Sequence, residues 1–182
     1  MPELRPWQVL QSETLLERAP WLRVESQTVR LPNGHVIAEY LLTPSRDYSM
    51  IVALTDTQDV LLVRQYRLAA GKVLSEIPAG TLHPGEDPRE CAIRELQEET
   101  GYKPGKLEAI GGIYVAPGYT TEYIHLFLAT ELVESKLALD DDEFVEVDHV
   151  PFKDALAMIE RGEMVDGKSN VALLRVARRM GI

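Results

Sequence analysis

Three glutamates on one short segment, Glu95, Glu98 and Glu99, are the residues of this chain whose type and spacing most point to chemistry. On an α-helix, positions three and four apart lie on the same side, so all three carboxylates project together. Like charges at that spacing each destabilise a helix by roughly 0.2–0.5 kcal/mol, and the helix dipole further disfavours anions near the C-terminal end. Something positive must compensate them. Arg94 is one candidate and a bound cation is the other, and oxygen donors select Mg²⁺, Mn²⁺ or Ca²⁺ over zinc, which prefers His and Cys. The plain alternative is a solvated acidic face. A second acidic run, Asp140-Asp141-Asp142-Glu143, reads by itself as a solvated turn.

The bulk properties narrow what such a cluster can serve. With 182 residues, 45% hydrophobic and 26% charged, the chain is the size of one globular domain or a domain with a small extension. A net charge of −10 and the lack of a basic stripe argue against nucleic acid as a partner. An acidic protein that handles a phosphorylated small molecule needs placed Arg or Lys side chains, or divalent cations. Cys91 is the only cysteine, which excludes an internal disulfide and a Cys-rich metal site and suits a small packing residue. The N-terminus has no apolar leader, and no apolar run approaches the roughly 18 residues of a membrane span. The expected setting is the cytoplasm, without membrane contact.

The elements that would position the glutamates follow from pattern. Extended pieces run from Trp7 to about Leu42, with a turn at Pro32-Asn33-Gly34, which predicts an N-terminal hairpin or small sheet. Ser49–Leu54 and Val60–Tyr66 read as paired strands of a central sheet, joined by a turn at Asp56–Asp59. A loop containing Gly80, Pro84 and Gly85 leads into a helix over Asp87–Thr100, with Pro88 in its first turn, Ala92, Ile93 and Leu96 at helical spacing, and Gly101 as the stop. Further strands are expected at Lys106–Val115, at Tyr123–Ala129 and through Val150, then helices at Phe152–Arg161 and Ser169–Met180, the last with Val171, Leu174 and Val176 as its apolar positions. No internal repeat is visible. This order fits an α/β sandwich with mixed sheets better than a regular βαβ alternation.

The segment Gly80–Tyr102, GTLHPGEDPRECAIRELQEETGY, resembles the Nudix box. That pattern runs Gly, five residues, Glu, seven residues, Arg-Glu, a bulky apolar residue, any residue, Glu-Glu, any residue, Gly and an apolar residue. Gly80, Glu86, Arg94, Glu95, Leu96, Glu98, Glu99 and Gly101 match, and Tyr102 takes the last place. The resemblance implies a Nudix fold, an α/β/α sandwich with mixed β-sheets, over residues 46–182. It also implies that Glu95, Glu98 and Glu99, with the backbone carbonyl of Ala79, hold Mg²⁺ or Mn²⁺. Gly80, Glu86, Arg94 and Gly101 would be structural, Glu86 and Arg94 as an ion pair bracing loop against helix. Metals bridging a pyrophosphate neutralise the charge that develops during attack by water.

The flanks resemble one branch of that family, the ADP-ribose and nucleotide-sugar pyrophosphatases, over about Ser49 to Ala155. Pro117 lies sixteen residues beyond Gly101, and Val63-Arg64-Gln65-Tyr66-Arg67 and Glu76-Ile77-Pro78-Ala79-Gly80 precede the box as in that branch. The implied substrate is a nucleoside diphosphate derivative: ADP-ribose, cut to AMP and ribose 5-phosphate, or alternatively GDP-mannose or a nucleoside diphosphate glucose. Arg67 would contact the diphosphate, although a strand-edge Arg paired with a carboxylate fits the same position. Glu76 would lie against the nucleoside, or serve only as a turn residue. Glu143 would be the general base, with Asp141, Asp142 and Glu146 as competitors. Trp7, Trp21, Tyr40, Tyr114 and Tyr119 could stack on a base, although a Trp in a small β-rich domain is more often core. Residues 1–45 would form a β extension used for homodimerisation. A reading from another class is a Nudix module that senses a nucleotide without cutting it.

Overall fold

A computed structural model describes residues 4–139 and 144–182. The described elements are β1 (Gln8–Arg18), β2 (Leu22–Arg30), β3 (Val36–Leu42), β4 (Tyr48–Ala53), β5 (Asp59–Arg67), β6 (Lys72–Glu76), β7 (Ala79–Thr81), α1 (Pro88–Thr100), β8 (Tyr102–Tyr114), β9 (Tyr123–Glu134), β10 (Glu146–Pro151), α2 (Phe152–Glu160) and α3 (Gly167–Met180). They fall into two compact units, Met1–Arg46 with Tyr114–Tyr123, and Asp47–Ile113 with Ile124–Ile182.

The first unit is a three-stranded antiparallel sheet, β1-β2-β3, with the turn from Val115 to Thr120. The expected turn at Pro32-Asn33-Gly34 forms because Gly34 adopts φ +85°, where a side chain is disfavoured, and Asn33 Oδ1 accepts from the His35 amide at 3.0 Å. Tyr40 donates its hydroxyl to the Gly118 carbonyl, and Thr43 N donates to the Tyr119 carbonyl at 2.7 Å. Trp7 meets Tyr40 edge-on at 5.7 Å. Neither tryptophan is core: Trp7 is 47% and Trp21 82% exposed. The strand between them, β1, is exposed at every residue, so an apolar side chain there has no interior to enter.

In the second unit, one sheet has the order β7-β4-β9-β8 and the other β10-β5-β6. β4 runs parallel to β9 (Tyr48 opposite Ile124) and antiparallel to β7 (Tyr48 opposite Thr81), which makes the first sheet mixed. The expected pairing of β4 with β5 is corrected: they lie in different sheets, and the isolated bridge Leu54–Val60 beside them is their backbone pairing among the described residues. Both strands are apolar on both faces, and such a run carries no alternation to show which strand it pairs with. β7 is also a strand where Gly80 had indicated loop.

The two faces of these sheets build two cores. Met50 and Val52 of β4, Val60 and Leu62 of β5, and Ile124 and Leu126 of β9 pack with Phe152 and Ala155 of α2 and Leu173 and Val176 of α3. The alternate residues, Ile51, Ala53, Leu61, Phe127 and Ala129, pack with Ala92 and Leu96 of α1. Helices therefore cover both sides, the α/β/α layering expected, and a fully buried side chain such as Leu96 contributes about 1.5–3 kcal/mol. On α3, Val171 and Leu174 are 36% and 52% exposed; the packed face is Ser169, Ala172, Leu173, Val176 and Ala177, whose small residues had carried little apolar signal. Among the described residues, no helix is long and apolar enough to cross a membrane.

Candidate active site

The helix that carries the glutamates is fixed at both ends. Asp87 caps α1 by accepting from Arg89 N at 2.8 Å, Pro88 occupies its first turn, and Gly101, at φ +79°, ends it by donating to the Gln97 carbonyl at 3.1 Å. Cys91, Ala92, Glu95, Leu96 and Glu99 are the buried residues of α1; Glu95 and Glu99 border the Ala92–Leu96 face and meet β7, while Glu98 is turned further out.

Arg94 organises the charges. Its Nε and Nη2 clasp Glu86 Oε1 and Oε2 at 2.9 and 3.0 Å, Nη1 donates to Glu95 at 2.6 Å and to Glu98 at 2.9 Å, and Nη2 also reaches the Thr81 carbonyl at 3.3 Å. Glu86 in addition accepts from His83 N at 2.8 Å. Hydrogen bonds from Arg94 hold the Glu86 carboxyl down at about 2 against the opposing cost of burial, and Glu86 in turn raises the Arg94 guanidinium above its ordinary range. Arg94 is thus the compensating cation within the protein itself. Cys91 packs beneath it, and burial pushes the thiol up to about 12, as befits a packing residue.

Gly80 and Ala79 supply the backbone side of the site. A Cβ on Gly80 would lie 1.8 Å from Glu95 Oε1, so only glycine lets this carboxylate, 6% exposed, rest against β7. Ala79 N donates to Glu99 Oε2 at 2.9 Å. Three carboxylates and the Ala79–Gly80 backbone therefore share one neighbourhood, with oxygen as the donor atom throughout, a set that suits a hard divalent cation. Among the described residues, no group of three or more His, Cys, Asp or Glu is gathered closely enough to hold a metal ion, and Arg94 Nη1 bonds both Glu95 and Glu98.

At the end of β5, Arg67 donates from Nε and Nη2 to Glu76 of β6 at 2.9 and 2.6 Å. Glu76 is 2% exposed, whereas the Arg67 side chain is 45% exposed and its Nη1 makes no hydrogen bond among the described residues. The Glu76 hydrogen bonds raise the Arg67 pKa, so this guanidinium stays charged. The two residues form one fork: with Arg67 opposite Lys72 and Glu76 opposite Val63, the β5–β6 register puts both side chains on the same face of the hairpin, and the long Arg67 side chain reaches back to Glu76. The other expected residues are placed differently. Pro117 stands in the turn of the first unit, exposed. Glu146 lies on β10 and is bound by Arg64 at 2.5 Å, which also holds Asp148 at 2.8 Å. Glu143, Asp141 and Asp142 lie outside the described residues.

The family model described as NUDIX domain matches residues 45–171, and that described as nucleoside diphosphate sugar hydrolase N-terminal domain matches residues 7–40. The chain is 41% identical over 149 residues to an ADP-ribose pyrophosphatase of Bacillus subtilis (strain 168), covering 81% of this chain and 80% of that protein. It is 37% identical over 132 residues to a GDP-mannose pyrophosphatase of Yersinia enterocolitica, covering 68% of each. A crystal structure of an ADP compounds hydrolase superposes with a TM-score of 0.88 at 25% identity, over 98% of this chain and 96% of that one.

Proposed function

The chain belongs to the NUDIX family, and from that premise we propose that it is a Mg²⁺-dependent hydrolase that cuts the pyrophosphate bond of ADP-ribose into AMP and ribose 5-phosphate. The observation that carries the reading is the seating of α1 on the backbone of Ala79 and Gly80, which sets Glu95 and Glu99 against β7 with Glu98 joined to Glu95 through Arg94. Those carboxylates with the Ala79 carbonyl would hold the cation, which when bound would neutralise pyrophosphate charge and lower the pKa of water. Arg67 offers its exposed edge to the diphosphate, and its fork to Glu76 keeps the guanidinium plane fixed. Glu143 takes the proton of the attacking water as the new P–O bond forms, and the bridging oxygen leaves with one phosphate. Glu86 and Arg94 brace the loop on the helix. Pro117 is a further substrate-binding residue of this reading, on its place sixteen residues beyond Gly101.

A nucleoside diphosphate sugar such as GDP-mannose is the second reading, supported by the match of residues 7–40 to a nucleoside diphosphate sugar hydrolase module and by the GDP-mannose pyrophosphatase relative. Homodimerisation through residues 1–45 is supported by β1, whose Val9, Leu10, Leu15 and Leu16 are all exposed. The test is a hydrolysis screen with and without Mg²⁺ across ADP-ribose, GDP-mannose, other nucleotide sugars and nucleoside triphosphates, with product identification. AMP from ADP-ribose is the expected result. Preferential cleavage of GDP-mannose moves the assignment to the second reading, and rapid pyrophosphate release from triphosphates overturns both.

A further inference from the structure

The segment Glu76–Gly80 is tied down at each residue, by four elements in all. Glu76 is clasped by Arg67, Pro78 O accepts from Ile51 N at 2.9 Å, Ala79 N donates to Glu99, and Gly80 pairs with Ser49 of β4. The remaining residue, Ile77, is held from the far end of the chain: its amide donates to Ser169 Oγ of α3 at 3.0 Å. Pro78 has no amide hydrogen, so the Ile77 bond is the one backbone donor between Glu76 and Ala79.

Ser169 is set up for this contact. It is fully buried, and its hydroxyl donates to Asp166 Oδ2 at 2.6 Å, which leaves a lone pair for Ile77. Asp166 caps α3 by accepting from Ser169 N at 2.9 Å and is bound on its other oxygen by Lys168 at 2.5 Å. Burial opposes ionisation of Asp166, but the bonds from Lys168 and Ser169 outweigh it and hold the carboxyl below its usual range. The cap of α3 needs only the Ser169 amide. The hydroxyl is left to hold the Ile77 amide.

We propose that Asp166 and Ser169 are positioning residues of the active site: through Ile77 they set where Glu76 holds the Arg67 guanidinium and where Ala79 meets Glu99. Losing the Ser169 hydroxyl leaves a buried amide without a partner, and the strand end bearing Glu76 relaxes with it. The inference rests on the reading of Arg67 as the diphosphate ligand, and the experiment keeps the two separable.

Binding of ADP-ribose and of GDP-mannose, which present the same diphosphate, is titrated calorimetrically without Mg²⁺, so that no turnover intervenes. The proteins are the wild type, Ser169→Ala, Ser169→Thr, Arg67→Lys and the double variant Ser169→Ala/Arg67→Lys. In the wild-type background Ser169→Ala should weaken binding about tenfold, and in the Arg67→Lys background less than about twofold, because the residue acts through Arg67. Ser169→Thr, which keeps the hydroxyl, should restore most of the affinity. A loss of equal size in both backgrounds reports general destabilisation and overturns the proposal. Backbone hydrogen exchange at Ile77 decides the anchor independently of any ligand: protection in the wild type that disappears in Ser169→Ala is expected, and free exchange in the wild type overturns it. If neither nucleotide binds the wild type, the reading of Arg67 fails while the exchange result still stands.

Discussion

Gly80→Ala puts the strongest demand on the proposed site, because its effect can be worked out from distances. The added Cβ would lie 1.8 Å from Glu95 Oε1, 1.9 Å from Cδ and 2.3 Å from Oε2. Ordinary contact begins at 3.4 Å, so the carboxyl must retreat by 3.4 − 1.8 = 1.6 Å, or β7 must move away from it. Retreat breaks the 2.6 Å bond from Arg94 Nη1, and a hydrogen bond to a charged group contributes about 1.5–3 kcal/mol. At roughly 2–4 °C per kcal/mol for a chain of this size, the melting temperature should fall by about 3 to 12 °C. The effect on catalysis should be larger. A displacement of about 1 Å in a positioned group can cost on the order of 100-fold in rate, so kcat with ADP-ribose at saturating Mg²⁺ should fall by at least about that factor. The control is Gly167→Ala, where a Cβ meets nothing within 4 Å. Steady-state kinetics with a Mg²⁺ titration, alongside thermal melts, reads both effects. A Gly80→Ala enzyme that melts lower but keeps wild-type kcat and Mg²⁺ dependence would refute the claim that Glu95 is needed where glycine admits it.

Two further outcomes follow from the same geometry. Glu99→Gln keeps an oxygen to accept from Ala79 N, so the protein should stay folded by circular dichroism while Mg²⁺-dependent turnover falls by orders of magnitude; near-normal turnover would remove Glu99 from the metal set. The depressed Glu86 carboxyl predicts an acid limb of stability. Its folded value of about 2 lies below the ordinary 4.5, so its contribution is complete above about pH 4.5 and is lost as pH falls toward 2. The shift corresponds to at most about 3 kcal/mol, reduced by solvent screening, and urea unfolding at pH 6 and pH 3 should show a steeper loss for the wild type than for Glu86→Gln. Parallel losses would place the acid sensitivity in other carboxylates.

What could be read from sequence was whatever depends on local spacing. The helix over Asp87–Thr100, its first-turn Pro88 and its stop at Gly101 lie within one continuous segment, and the Glu86–Arg94 clasp, which the resemblance to the Nudix box implied, lies in the same stretch. Long-range pairing was not visible. Ile51 and Leu61 are buried whichever strand lies beside them, so nothing in β4 or β5 named the partner. On α3 Val176 was read as apolar and is buried, but the rest of the packed face escaped because Ser169, Ala172 and Ala177 are too small or too polar to mark it. The Arg67–Glu76 fork needed the β5–β6 register, and the Ser169–Ile77 bond spans 92 positions, a distance over which an isolated serine gives no signal.

The parallel pairing of β4 with β9 also sets the order in which the chain can be assembled. Met50 meets Ala79 after 29 residues of chain, whereas Tyr48 meets Ile124 only after 76, and closing the longer loop costs about 4 kcal/mol of chain entropy before any contact repays it. During synthesis, β4, β7 and α1 therefore emerge and can dock while one edge of β4 still waits for its neighbour. From Ala79 to Ala129 the ribosome must add 50 residues, which takes about 3 to 10 s at typical rates. For that interval a strand buried at five of its six residues in the finished fold presents unpaired amides and carbonyls, and that half-built sheet is the species a chaperone would have to shield.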